Sequence, residues 1–190
     1  YRDVHNYLLH HVLANKNAIA REMLARITLM LENLPFFLQP GCTALNKGSI
    51  GFSNNSRIIA AATSSSSIRG MSLNLVYLDE FAFVENASEF YTSTYPVISS
   101  GKTSKIIITS TANGIGNMFH KLYEGAAQGT NEFTPTRVDW WDVPGRDEAW
   151  KKMTIENTSE LQFDQEFGNS FHGTGNTLIS ADVLLALRST

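Results

Sequence analysis

The sequence predicts an α/β fold built on a parallel sheet, followed by a small, mainly helical subdomain. Three observations carry this. Leu73-Asn74-Leu75-Val76-Tyr77-Leu78 and Ser104-Lys105-Ile106-Ile107-Ile108-Thr109-Ser110-Thr111 are short, largely apolar or β-branched runs, as expected of strands buried in a parallel sheet. Ala87 to Tyr95 between them and Met118 to Ala127 after them suit helices, so the order strand, helix, strand, helix implies parallel strands joined by crossovers. Past Thr134 the character changes: Trp140, Trp141 and Trp150 all lie there, and helix caps replace strand signals. The division is placed at 1–136 for the sheet-bearing core and 137–190 for the subdomain, expected to pack on the sheet.

The elements follow in order. Tyr7 to Leu13 is short and compatible with helix. Ile19, Met23, Ile27, Met30, Leu31 and Leu34 recur at spacings of three and four, the stripe of an amphipathic helix, which Pro35 ends. Pro40-Gly41 is a turn. Thr43 to Leu45, Ser49 to Phe52 and Arg57 to Ala61 are β-like pieces, separated by turns at Asn46-Lys47-Gly48 and Ser53-Asn54-Asn55. A polar loop, Thr63 to Ser67, precedes the Leu73 to Leu78 strand. Asn113-Gly114 breaks the chain after the second apolar run. In the subdomain Val143-Pro144-Gly145 is a turn, Asp147 caps a helix through Met153 and Ile155, and Ser159-Glu160-Leu161-Gln162 has the form of a capping box.

Composition sets the outer limits. A chain of 190 residues supports one core, or one core plus a small appendage. With 43% hydrophobic and 17% charged residues it has a globular rather than a disordered balance. No apolar run approaches the roughly 20 residues that span a bilayer, so a membrane protein is not expected. The single cysteine, Cys42, excludes an intrachain disulfide framework. A net charge of −3 is not that of a polybasic nucleic-acid surface, although a local basic face is compatible with it. The chain starts at Tyr1 and ends in what reads as a helix in mid-course, Asp182 to Arg188, so it is treated as a fragment of something longer.

Chemistry concentrates at the ends of the two apolar strands. In open parallel sheets ligands sit at the carboxyl ends of strands. Asp79 there can serve Mg²⁺ beside the phosphates of a nucleotide, and Glu80 can orient and polarise an attacking water. The alternative is an ordinary strand followed by an acidic helix cap. Thr109, Ser110 and Thr111 can sense a phosphate or a water through their hydroxyls; the alternative is a β-propensity tail leading into a turn. Arg69 and Gly70, just before the acidic strand, suit contact with a phosphate or nucleotide, by a planar charged fork and by close backbone approach. The alternative is an exposed loop arginine. Gly101-Lys102-Thr103 resembles the end of a phosphate loop, but the pattern requires glycine at 96, where Pro96 stands, and the segment precedes a strand instead of following one. No phosphate loop occurs in the 190 residues. The histidines, at 5, 10, 11, 120 and 172, have no metal-ligand spacing and are expected on the surface or at caps. The tryptophans are read as core of the subdomain.

Taken in order, these segments are similar to a known family. They are Leu-Pro-x-Phe-Leu-Gln-Pro-Gly at 34–41, Asn-Lys-Gly-Ser-Ile at 46–50, Ile-Arg-Gly at 68–70, Val-Tyr-Leu-Asp-Glu-Phe-Ala-Phe at 76–83, Pro-Val-Ile-Ser-Ser-Gly at 96–101, Ser-Lys-Ile-Ile-Ile-Thr at 104–109, Ala-Asn-Gly at 112–114 and Gly-Thr-Gly-Asn-Thr-Leu-Ile-Ser at 173–180. The chain resembles the ATPase domain of the large terminase subunit of tailed bacteriophages, in its T-even-like myophage branch.

The resemblance implies a P-loop-type ATPase core of the additional-strand class, N-terminally truncated, and a motor that translocates viral DNA into a prohead at the expense of ATP. It makes Asp79 the Walker B acid serving Mg²⁺, Glu80 the catalytic carboxylate, and Thr109-Ser110-Thr111 the coupling motif. Ala14-Asn15-Lys16 resembles the motif that follows the second core strand, although the strand expected before it looks shortened or lost. The phosphate loop is expected upstream of Tyr1 and a nuclease domain after about Thr190. The implied cofactors are ATP and Mg²⁺. The implied partners are double-stranded DNA, the portal protein, the small terminase subunit and further copies in a ring. The implied location is the host cytoplasm, docked transiently on the prohead portal, neither secreted nor in a membrane. Two other readings stand beside this one: another ATP-driven nucleic-acid motor such as a helicase, and a non-catalytic, truncated interaction module. The isolated 190 residues are expected to be inactive.

Overall fold

The computed structural model describes residues 8–64, 71, 73–99 and 104–171. Arg69 and Gly70, the Gly101-Lys102-Thr103 segment, the 173–180 segment and the helix expected over 182–188 lie outside the described residues. The chain divides into two compact units, Tyr1–Thr109 and Ser110–Thr190. The first is a mixed α/β unit and the second is largely helical.

The first unit holds a six-stranded sheet in the order β2-β3-β4-β1-β5-β6. Its strands are β1 (Leu9–Ala14), β2 (Cys42–Leu45), β3 (Ser49–Phe52), β4 (Arg57–Ala62), β5 (Leu75–Leu78) and β6 (Lys105–Ile108). β1 pairs in parallel with β4 on one side and β5 on the other, and β5 pairs in parallel with β6. β2 and β3 extend the sheet as an antiparallel ribbon on the far side of β4. β5 and β6 are parallel, as expected from the order strand, helix, strand, and the parallel part extends to β1 and β4.

One expectation is corrected at the centre of this sheet. The segment read as short and possibly helical is β1, a full six-residue strand in the middle of the order. His10 and His11 obscure its apolar pattern, and its strand character comes from pairing on both edges, with Val12 opposite Ala60 of β4 and Tyr77 of β5. His11 is 1% exposed, so it is a core residue and not the surface or cap histidine expected. Its ring nitrogens have no hydrogen-bond partner among the described residues.

Successive residues of β1 point to opposite faces of the sheet. Val12 and Ala14 form one core with Ala60, Ile50 and the buried Ala20 and Leu24 of helix α1 (Asn17–Glu32). Burying Leu24 contributes roughly 2 kcal/mol. Ile19, Met23, Ile27 and Leu31 flank that core as the helical spacing predicts, but Met30 is 68% exposed. The centre of the buried stripe is Ala20 and Leu24, so the face is rotated from the one the large apolar residues alone suggest. At the end of α1, Gln39 donates its Nε2 to the carbonyls of Glu32 (3.2 Å) and Leu34 (2.8 Å), closing the chain beyond Pro35. The opposite sheet face carries His11, Leu13, Val76 and Leu78, all buried.

The turn between β2 and β3 forms as expected, with Asn46 Oδ1 accepting from the N–H groups of Gly48 and Ser49, both at 2.9 Å. Helix α2 spans Ala87–Ser99 and continues through Pro96, where the sequence pattern stops at Tyr95. A proline this close to a helix end forfeits one backbone hydrogen bond without ending the helix. β6 is not a fully buried strand: it is the last in the order, and Lys105 and Ile107 on it are exposed. No helix among the described residues is long and apolar enough to cross a membrane.

The second unit contains α3 (Met118–Ala127), α4 (Glu148–Asn157) and α5 (Glu160–Glu166). Each begins at a side-chain cap: Asn117 accepts from His120 N–H, Asp147 from Trp150 N–H and Ser159 from Gln162 N–H. Its aromatic core gathers Trp140, Trp150, Phe163 and Phe167, with ring centroids 5.2 to 6.2 Å apart. Trp141, expected in this core, is 57% exposed.

Candidate active site at the carboxyl end of the sheet

Three parallel strands end side by side, and the residues just past them are bonded to one another. Asp79 N–H donates to Leu13 O of β1 at 2.8 Å, Thr109 N–H to Leu78 O of β5 at 2.9 Å, and Phe81 N–H to Thr109 O at 3.2 Å. On the far side of β1, Thr63 donates its N–H and its hydroxyl to Ala14 O, at 2.9 and 3.0 Å. The exits of β1, β4, β5 and β6 are thereby held in one row.

Side chains then converge on Asp79. Thr109 Oγ1 donates to Asp79 Oδ1 at 2.8 Å, Tyr77 OH reaches the same oxygen at 3.2 Å, and the two hydroxyl oxygens are 2.9 Å apart. Tyr77 and Asp79 are two residues apart at a strand end and so lie on one face. Thr109 comes from the neighbouring strand. Burial pushes the Tyr77 phenol above its ordinary range; the bond with Thr109 opposes this, and the charges of Asp79 and Glu80 add to it. The phenol therefore stays protonated and available as a donor.

Glu80 has a left-handed backbone, φ 52° and ψ 40°. Among the described residues, the other non-glycine residues with positive φ are Asn55, Asn86 and Asn169, a type that tolerates this region. For glutamate the conformation costs roughly 1–2 kcal/mol. It persists because both neighbours are fixed: Asp79 by Leu13, and Phe81 by Thr109 and by full burial. The Phe81 ring meets Phe90 of α2 edge-on at 6.3 Å. A strained non-glycine residue held between two anchored neighbours is typical of functional sites.

The donor set is hard oxygen: two adjacent carboxylates and nearby hydroxyls. No group of three or more metal-ligating His, Cys, Asp or Glu side chains occurs among the described residues. The pair suits a cation that keeps most of its water and shares phosphate oxygens, which is the habit of Mg²⁺ and not of zinc. Of the residues singled out from sequence, Asp79, Glu80 and Thr109 are brought together here. Ser110 and Thr111 belong to the second unit, and Arg69 and Gly70 are outside the described residues. Tyr77 was missed, though its position two residues before Asp79 on a strand was a usable signal.

A family model for the N-terminal part of the T4likevirus-type terminase large subunit matches residues 9–185. The chain belongs to this family. Solved structures of large terminases share its fold. The Thermus phage P74-26 large terminase ATPase domain is 19% identical, with a TM-score of 0.65 over 86% of this chain and 76% of that one. The HK97 bacteriophage large terminase is 16% identical, with a TM-score of 0.66 over 94% of this chain and 43% of that one. A large terminase from a thermophilic bacteriophage is 12% identical, with a TM-score of 0.67 over 96% and 46%. The chain thus spans most of a terminase ATPase domain and less than half of the longer large terminases. At these identities the likeness shows the fold, which is the P-loop-type α/β fold of terminase ATPase domains.

Proposed function

We propose that this terminase chain is part of an ATP-hydrolysing motor that drives viral DNA into a prohead. The observation that carries the reading is Glu80: an acid held in a strained left-handed conformation at the carboxyl end of a parallel sheet, next to an Asp79 that Thr109 and Tyr77 hold in place. Asp79 is the residue that serves Mg²⁺, and Glu80 is the carboxylate that accepts a proton from the attacking water. Bound Mg²⁺ supplies charge neutralisation for the phosphates. Thr109 links the acid strand to the strand that leads into the second unit, and with Ser110 and Thr111 it forms the coupling segment. Arg69 and Gly70 contribute a nucleotide contact.

The same reading divides the chain into an ATPase core over 1–136 and a subdomain over 137–190 leading toward a nuclease domain. It takes double-stranded DNA, the portal protein, the small terminase subunit and further copies of the chain as partners, at a prohead in the host cytoplasm. The family match favours this motor over a helicase. It also favours it over an inert interaction module, because the site retains both acids and the two hydroxyls that bond Asp79.

The test is Glu80→Gln in the natural full-length protein. Hydrolysis should fall by about 10²–10⁴, the scale of general base catalysis, while ATP remains bound. Turnover near that of the unmodified protein would remove Glu80 from its role.

A further inference from the structure

We propose that Tyr77 is a positioning residue for the Asp79 carboxylate, acting through Thr109. This rests on the reading of Asp79 as the acid that serves Mg²⁺.

Counting hydrogens shows how the three groups must bond. Tyr77 OH, Thr109 Oγ1 and Asp79 Oδ1 make a triangle with sides of 2.8, 2.9 and 3.2 Å. Tyrosine and threonine carry one hydroxyl hydrogen each, and an ionised carboxylate only accepts. Two hydrogens cannot serve three sides. The short sides select a relay in which Tyr77 donates to Thr109 and Thr109 donates to Asp79. The phenol's remaining side toward Oδ1, at 3.2 Å, is the weakest of the three.

The ring is what makes the relay rigid. Tyr77 packs against the core formed by Val12, Ala14, Ala20 and Leu24. Its hydroxyl therefore projects past the strand end from a fixed base and meets the Thr109 hydroxyl at 2.9 Å, favouring one of the few rotamers that a β-branched threonine has. Phenylalanine would fill the same core volume, so the phenol oxygen is not needed for packing. A half-buried hydroxyl lowers the free energy only when it is bonded, and its partner here is the residue that holds the acid. Tyr77 thereby fixes the Thr109 rotamer, and Thr109 fixes the orientation of Asp79.

The experiment compares Tyr77→Phe, Thr109→Val, the double variant and Asp79→Asn in the full-length protein, reading the Mg²⁺ concentration that half-saturates ATP hydrolysis, together with the thermal midpoint. Tyr77→Phe should raise the half-saturating Mg²⁺ roughly tenfold, the lower end of what losing a partner of a metal-binding group costs, with a nearly unchanged thermal midpoint. The shift should largely vanish in the Thr109→Val background, because the relay is already cut there. If Tyr77→Phe does not fold, Tyr77→Met and Tyr77→Leu, which also lack the hydroxyl, take its place with the same expected shift, and an unchanged Mg²⁺ dependence in them overturns the proposal. Unchanged Mg²⁺ dependence in Tyr77→Phe, with or without loss of stability, overturns the proposal while leaving Asp79 in its role. If Asp79→Asn itself keeps the original Mg²⁺ dependence, the reading of Asp79 fails and the Tyr77 proposal falls with it.

Discussion

Thr109 is bonded twice to the loop that follows Asp79: its hydroxyl donates to Asp79 Oδ1 at 2.8 Å, and its carbonyl accepts from the N–H of Phe81 at 3.2 Å. The residue between those two attachment points is Glu80. One strand end thus sets both the direction of the aspartate and the backbone of the glutamate, and the strain at Glu80 is held by bonds that themselves belong to the site.

That strain has a measurable consequence. Glycine adopts a left-handed backbone without steric cost, so Glu80→Gly should be no less stable than the unmodified chain, and more stable by up to about 1 kcal/mol. The same substitution removes the carboxylate and should abolish hydrolysis by the full-length protein. Urea unfolding and ATPase assays on one preparation check both halves. A clear loss of stability in Glu80→Gly would mean that the side chain, and not the function, keeps this conformation.

His11 makes stability depend on pH. Burial lowers its pKa from 6.5 to about 4, and burial lowers that of His10 as well. Between pH 6.5 and 4 the unfolded chain binds more protons at His11 than the folded one, so stability falls as pH falls. The contribution is fully present above about pH 6.5 and lost once pH drops below about 4. For His11 the change amounts to roughly 3 kcal/mol. Denaturation midpoints from pH 7 to pH 4 should show the slope, and His11→Leu should flatten most of it, with His10 supplying the remainder.

Phe163 is 1% exposed and lies 5.5 to 5.9 Å, ring to ring, from Phe167, Trp140 and Trp150. Phe163→Ala should destabilise the second unit by about 3–5 kcal/mol, the usual cost of such a cavity. Tryptophan fluorescence follows it directly, because both neighbouring indoles lose a face. Trp141→Ala, at an exposed position, should cost well under 1 kcal/mol.

Coupling is tested at Thr111. If the segment after β6 transmits the state of the nucleotide, it needs contacts that differ between two such states. Thr111→Ala in the full-length protein should then impair DNA movement more than ATP binding. Parallel measurements of nucleotide affinity, hydrolysis and packaging decide it, and equal loss in all three, or in none, would exclude the role.

The 190 residues tested alone should hydrolyse ATP weakly or not at all. No phosphate loop of the form G-x-x-x-x-G-K-[ST] is present in the sequence, and in phosphoryl transfer nearly all catalysis comes from positioning and electrostatics around the phosphates. Robust Mg²⁺-dependent turnover by this chain would contradict the assignment of roles.

What the sequence by itself determined was whatever depends on near neighbours. The turn at Asn46, the caps at Asp147 and Ser159, the β-like pieces around Ile50 and Ile58, and an acidic pair at the end of an apolar run are all decided within a few residues of chain, where backbone preference and side-chain hydrogen bonding act directly. The order of motifs was also enough to point to the family. The tertiary structure alone decided what depends on residues far apart. β1 is central because β4 and β5 flank it, 48 and 65 positions further on at their first paired residues, Leu9 with Arg57 and His10 with Leu75. His11 is buried for the same reason, despite a residue type that usually reaches water. The buried stripe of α1 centres on Ala20 and Leu24 because these are the helix residues that meet Val12, Ala14, Ile50 and Ala60 of the sheet. Thr109 meets Asp79 and Tyr77 across 30 and 32 positions, and Glu80 is strained only because those distant bonds hold its neighbours. Side-chain direction at a strand end is set by pairing and register, which no local pattern encodes, and so the acids were visible as residues while the relay that aims them was not.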